Sequence, residues 1–139
     1  MSFILMHKFI NTYIYISNMT DLANLIWTPG FNEDERRTII DITPRIKFFT
    51  IANFNELKLG NHYHEKMPES FYCTDGKIYF KLEDINTKER QEYVIEPGQG
   101  ITMPLFVAHL VLPDRKSRFI KILGADFDKD DLKEYKITW

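Results

Sequence analysis

Over residues 77–83 the chain alternates without a break: Ile78, Phe80 and Leu82 fall on one face, and Lys77, Tyr79, Lys81 and Glu83 on the other. A two-residue period marks a half-buried strand, because successive side chains leave an extended backbone on opposite sides. The same signature recurs in short pieces. Residues 38–42 and 45–54 are rich in Ile, Phe and Thr, which favour pleated positions. Tyr93-Val94-Ile95, Ile101-Thr102-Met103, 109–112 and 118–123 read as further strands. Between them stand turn signals: Asp75-Gly76, read as a hairpin turn, then 86–88, Pro97-Gly98-Gln99-Gly100 and Gly124. Many short strands with closely spaced turns predict an all-β sandwich or barrel. No alternation of strands with helices points to a doubly wound fold. Helices are expected only near the two ends. One covers 20–27, with Thr20 as N-cap and Pro29-Gly30 as its stop; the other covers 128–135, with acidic residues in its first turn. Residues 32–37 read as a charged loop.

A length of 139 residues suits a single domain. We divide it into residues 1–19, an extension or a strand exchanged with a partner, and 20–139, one barrel domain. The apolar stretch 3–16 is interrupted by Lys8 and falls short of the ~20 residues of a membrane span. It also lacks the pattern of a secretory signal. The expectation is therefore a cytoplasmic protein without membrane attachment. As a strand added to another subunit's sheet edge, the stretch would make a homodimer. Lys and Arg total 18 against 20 Asp and Glu, and a net charge of −2 gives no footprint for nucleic acid. The single cysteine, Cys73, excludes an internal disulfide and a cysteine-based zinc site, which suits a reducing compartment. It shares a strand face with Glu69 and Phe71 and reads as a small buried hydrophobe. Phe71, Phe80, Phe106 and Phe119 read as core, and Tyr63 and Tyr72 as packing on the outer sheet faces.

His62-Tyr63-His64 carries the chemistry. On a strand, positions i and i+2 share a face, so the two imidazoles project together. Glu69 follows a turn at Lys66-Met67-Pro68, and His109 lies forty residues further on. Three imidazoles and a carboxylate form a first shell for one divalent transition metal, Ni, Zn, Fe or Mn, better than for Ca or Mg.

Spacing adds a resemblance. His62-x-His64, four residues, Glu69, six residues and Gly76 is similar to the first motif of the cupin superfamily. Gly98, five residues, Pro104, four residues and His109 is similar to the second. The resemblance implies a cupin-type double-stranded β-helix, a jelly-roll barrel, with metal held at His62, His64, Glu69 and His109. Three positions depart from the pattern: Glu56 and Phe106 replace glycines, and Pro113 replaces an asparagine. Asp34-Glu35-Arg36-Arg37, 59–64, 98–101 and 126–131 further resemble cupins that act on nucleotide-linked sugars, such as ketoisomerases, epimerases and capsular-polysaccharide enzymes. This implies a small-molecule substrate and an isomerase or epimerase of a nucleotide-activated sugar. A non-catalytic small-molecule-binding module and an iron-dependent dioxygenase share the ligand set. In the ketoisomerases the paired histidines work without metal, which would make His62 and His64 catalytic acid/base groups. A metal-centred reaction needs another base, for which Tyr63, Tyr72 and Lys58 are the candidates. Arg45, Lys47, Lys58, Arg115 and Arg118 are the cations available for a diphosphate.

Overall fold

Alternating apolar positions build two antiparallel sheets that close on one interior. The computed structural model describes residues 5–9, 12–16, 25–28, 30–52 and 59–139, the first three segments as backbone only. The first strands are β1 (Leu5–Phe9), β2 (Thr12–Ile16), β3 (Leu25–Thr28), β4 (Gly30–Glu33), β5 (Arg37–Thr43), β6 (Ile46–Ile51) and β7 (Leu59–Tyr63). There follow β8 (Glu69–Asp75), β9 (Ile78–Asp84), β10 (Arg90–Ile95), β11 (Gly100–Met103), β12 (Val107–Pro113), β13 (Arg118–Leu123) and β14 (Lys133–Glu134). One sheet runs β10-β9-β12-β7-β14, the second β11-β8-β13-β6-β5-β4, and β1-β2-β3 form a third. The two larger sheets make the expected jelly-roll barrel.

The core lies between them. Phe49 and Ile51 of β6, Phe71 and Cys73 of β8 and Phe119 of β13 meet Ile78, Phe80 and Leu82 of β9 and Val111 of β12. Phe49 stacks on Phe119 at 4.7 Å, and Phe71 meets Phe80 edge-on at 5.4 Å across the sheets. Each such aromatic contributes about 1.5–3 kcal/mol through burial. On the far face of the five-stranded sheet, Ala108 and Leu110 are covered by Ile137, with Tyr63, Tyr135 and Trp139 packed around them.

Several expectations are corrected. Leu25–Thr28 is a strand paired with β2, where a helix was expected over 20–27; Ile26 and Trp27 favour pleated backbone, and a cross-strand partner satisfies it. Residues 20–24 of that expectation lie outside the described residues. The stretch 3–16 contains two strands, β1 and β2, paired with each other. Residues 32–37 are not a loop throughout: β4 runs to Glu33 and β5 begins at Arg37. As an edge strand, β4 exposes Phe31, Asn32 and Glu33, so it lacks the buried face that alternation detects. The expected helix over 128–135 is a single 3₁₀ turn, Lys129–Asp131, followed by β14. There the Asp131 side chain is drawn into the protein interior and the chain turns to pair with β7. Asp75-Gly76 is not a hairpin, since β8 and β9 belong to different sheets. It is the corner between them, at Gly76 φ +74°, where an added Cβ would press on Ser117. Phe106 is 39% exposed and stands at φ +62°, at a position where the cupin pattern has glycine.

Candidate metal centre

The site is assembled from both sheets. β7 carries His62, with His64 just beyond its end, and β12 places His109 directly opposite His62. The β7–β12 register then shifts: Leu110 faces Gly60, and Asn61 is the extra residue of a bulge. Two successive positive φ angles make that bulge, +98° at Gly60 and +58° at Asn61. A Cβ on Gly60 would collide with the His109 carbonyl, so only glycine lets the two histidine strands approach this closely. Asn61 is pinned by the Tyr135 N–H on its carbonyl and the Ile137 N–H on its Oδ1. Glu69 opens β8 in the facing sheet, with Phe71 and Cys73 following on its inward face.

One ligand atom from each of His62, His64, Glu69 and His109 lies within 4.8 Å of the others. His64 Nε2 is 3.2 Å from Glu69 Oε1, and His109 Nε2 is 3.2 Å from Oε2. The imidazole of His62 lies edge-on to those of His64 and His109, with centroids 4.9 and 4.7 Å away. His64, Glu69 and His109 are at most 3% exposed, and His62 is half-buried. His64 Nδ1 lies 3.1 Å from the Asp131 carbonyl and His109 Nδ1 3.3 Å from the Val107 carbonyl. A carbonyl only accepts, so these two contacts suit the tautomer with the proton on Nδ1, which leaves Nε2 of His64 and His109 as the lone pair a metal takes. All three Nε2 atoms and Glu69 Oε2 are buried without a well-formed hydrogen bond. The short His–Glu separations are thus approaches to a common point rather than satisfied pairs. Leaving one such acceptor unpaired costs about 1–3 kcal/mol. Three imidazole nitrogens and a carboxylate aimed at one another are a donor set that a divalent cation satisfies. Metal bonds of about 2.0–2.2 Å place donors no more than about 4.4 Å apart. The observed spread is close to that, so the donor set fits one ion.

Charge is concentrated here. Burial, reinforced by the charge of His109, lowers the His62 pKa to about 4. Burial alone would raise the Glu69 carboxyl; His109 and His64 beside it and the Lys121 charge outweigh that and hold it well below the usual carboxylate range. Lys121 Nζ lies 2.8 Å from Glu69 Oε1 and 5.7 Å from the Phe71 ring centre. A cavity of about 240 Å³ opens onto the cluster, lined by His62, Glu69 and His109 and by Arg37, Lys47 and Lys121 on the six-stranded side.

The structure therefore brings together His62, His64, Glu69 and His109. It does not bring in Tyr72, which is 43% exposed on the outer face of β8. Tyr63 packs outside with Phe106 and Tyr135, and Lys58 lies outside the described residues. Of the cations named for a diphosphate, Lys47 lines the cavity, tied to Asp41 at 2.6 Å. Arg45 instead pairs with Asp126 at the surface, and Arg115 and Arg118 are exposed. Sequence reasoning missed Lys121, Arg37 and Asp131. Lys121 had a signal: it shares a strand face with Phe119 and Leu123, a cation where alternation demands an apolar side chain.

No family model matches the sequence, and no curated protein does. Solved structures do. Over 86% of its length the chain is similar to CapF, a capsular polysaccharide assembling protein from Staphylococcus aureus, with a TM-score of 0.67 and 20% identity. It spans about a third of that protein, 34%. QdtA, a sugar 3,4-ketoisomerase from Thermoanaerobacterium thermosaccharolyticum solved with TDP, matches 75% of this chain and 82% of its own at a TM-score of 0.56 and 16% identity. An oxalate decarboxylase variant from Bacillus subtilis matches 76% of this chain and 30% of its own, with a TM-score of 0.60 and 11% identity. No helix among the described residues is long and apolar enough to cross a membrane. Identities this low speak to architecture alone, and with two facing antiparallel sheets around a His/Glu cluster that architecture is the cupin fold.

Proposed function

We propose that the protein is a metal-dependent cupin acting on a small anionic molecule, as an isomerase or epimerase of a nucleotide-activated sugar. The observation that carries the metal reading is the convergence of three imidazole nitrogens and a carboxylate oxygen, all buried without a hydrogen bond, on one point. The substrate reading is supported by the cation-lined wall of the cavity and by the likeness to a ketoisomerase solved with TDP. When bound, a divalent metal supplies Lewis-acid polarisation of a carbonyl oxygen. His62, His64, Glu69 and His109 hold it, while Lys121 donates to Glu69 Oε1 and fixes the direction of that carboxylate. Arg37 lines the same wall, and no described carboxylate lies within ion-pair distance of its guanidinium, which leaves it available to an anion. Phe49, Phe71 and Val111 form the apolar part of the cavity and limit water around the reacting carbon.

Isomerisation or epimerisation beside a keto group removes a proton α to it. The test is solvent exchange: metal-loaded protein incubated in heavy water with TDP- and UDP-linked 4-keto sugars, followed by NMR. Deuterium appearing at the carbon next to the keto group is expected. Binding without exchange would make the protein a binding module, and neither binding nor exchange would refute the sugar-nucleotide reading. A metal-free reading is favoured by one observation, the exposure of His62 to the cavity beside His64. It predicts that His62→Ala or His64→Ala abolishes exchange while Glu69→Ala and His109→Ala do less.

A further inference from the structure

Only four residues separate His64 from Glu69, and three consecutive backbone N–H groups in that link point at one carboxylate. Glu65 and Lys66 donate to Asp131 Oδ1 and Met67 donates to Oδ2, each at 3.0 Å. Asp131 is itself 3% exposed. Three successive N–H groups in a loop form an anion-binding concavity, here filled by a side chain from the other end of the sequence. The same residue reaches a ligand directly, since its backbone carbonyl accepts from His64 Nδ1 at 3.1 Å and its Oδ2 lies 3.4 Å from that nitrogen. The side chain of Asp131 thus holds the path of the chain between His64 and Glu69, and by doing so it keeps its own carbonyl against His64 Nδ1.

The segment that delivers Asp131 is fastened on both sides. Asp128 accepts from the Asp130 N–H through its side chain and from the Asp131 N–H through its carbonyl. Upstream, the Gly124 N–H donates to the Pro68 carbonyl, at the end of the same link. Downstream, β14 pairs Lys133 with Tyr63 and Glu134 with His62. Residues 124–134 are therefore a strap laid around the strand and loop that carry His62, His64 and Glu69.

We propose that Asp131 is a positioning residue for the metal centre, which presets the 64–69 link and holds His64 with Nε2 bare, so that the ligand set exists before an ion arrives. This rests on the metal reading above. Carboxylates and carbonyls that orient ligating histidines commonly govern metal affinity by about 10–100-fold.

Two measurements on the full chain test it. In metal-free protein, NMR correlation of the imidazole nitrogens should show His64 as the Nδ1–H tautomer in the parent. Releasing the Asp131 side chain from the Glu65, Lys66 and Met67 N–H groups frees residue 131 to move its carbonyl off His64 Nδ1, so that signature should be lost in Asp131→Ala and Asp131→Asn and kept in Asp130→Asn. Zinc affinity, measured by competition with a chromogenic chelator, should fall about tenfold or more in both Asp131 variants. The asparagine variant covers the case in which Asp131→Ala does not fold. Whichever way its amide faces, at least one of the three N–H groups meets another donor. Were Asp131 only a loop cap, its variants would unfold more easily yet keep the His64 tautomer and the parental zinc affinity, and that result overturns the proposal. An Nε2–H tautomer in the parent overturns it too. If the parent takes up no zinc, the metal reading fails, and the tautomer measurement still decides the role of Asp131.

Discussion

Glu69 sits within 3.2 Å of two imidazole nitrogens and 2.8 Å of an ammonium, and it supplies the only carboxylate of the ligand set. Glu69→Gln keeps its shape and removes its charge, so zinc affinity should drop by about 100-fold, read by chelator competition; an unchanged affinity would remove Glu69 from the site. Alanine at any of the four ligands should empty the site, and a second substitution should then cost little more, because all act through one ion. Stability of the metal-free protein should fall with pH. Between the ordinary imidazole value of 6.5 and about 4, the unfolded chain takes up a proton at His62 that the folded site resists. The stability held by Glu69 is present above 4.5, its ordinary value, and is lost as pH falls below it through the lowered folded value. Allowing for the partial exposure of His62, its share is about 1–2 kcal/mol, measurable as a lower urea midpoint at about pH 4.5 than at about pH 7. A midpoint independent of pH over that range would contradict the burial assigned to His62. The pairing of His62 with His64 was legible because positions i and i+2 on a strand share a face, and Glu69 and His109 joined them through spacing similar to the cupin motifs. Asp131 was not: it belongs to a run of acidic residues at 126–131, and only the fold singles out the one that turns inward.

At the scale of elements, the bulge in β7 does the most to position the site. It lets His109 come opposite His62 while His62 and His64 keep a common face. Gly60→Ala needs a backbone angle that side chains disfavour and places a methyl against the His109 carbonyl. It should destabilise the protein by about 2 kcal/mol or more and weaken zinc binding together with it. Chemical denaturation and zinc titration of the variant check this; retention of both would mean that the β7–β12 approach is not tight. The strands were readable from period-two alternation, and β9 matches its expected run closely, Ile78–Asp84 against 77–83. The bulge was not readable, since register depends on which strand becomes the neighbour. The expected helix over 128–135, and the described end of the one expected over 20–27, gave way to strand for a related reason. Local helix signals at Thr20 and Asp128 cannot reveal that β2 and β7 offer strand partners to the residues that follow.

For the whole molecule, we propose that residues 1–19 join two copies of the chain. Among the described residues, β1-β2-β3 form a sheet of their own, and its outer strands pair with no described strand of the barrel. Such open edges are satisfied by adding a strand from a second copy. Light scattering should give a dimer for the full chain and a monomer for a chain begun at Met19; a monomeric full chain, or a dimer that survives the truncation, contradicts the role. The central claim for the molecule is that the barrel brings His62, His64, Glu69 and His109 together to hold one ion. Elemental analysis of untagged protein, purified without chelator, tests that most directly. About one Ni, Zn, Fe or Mn ion per chain is expected. Protein that arrives metal-free and takes up none of these ions on titration would contradict it.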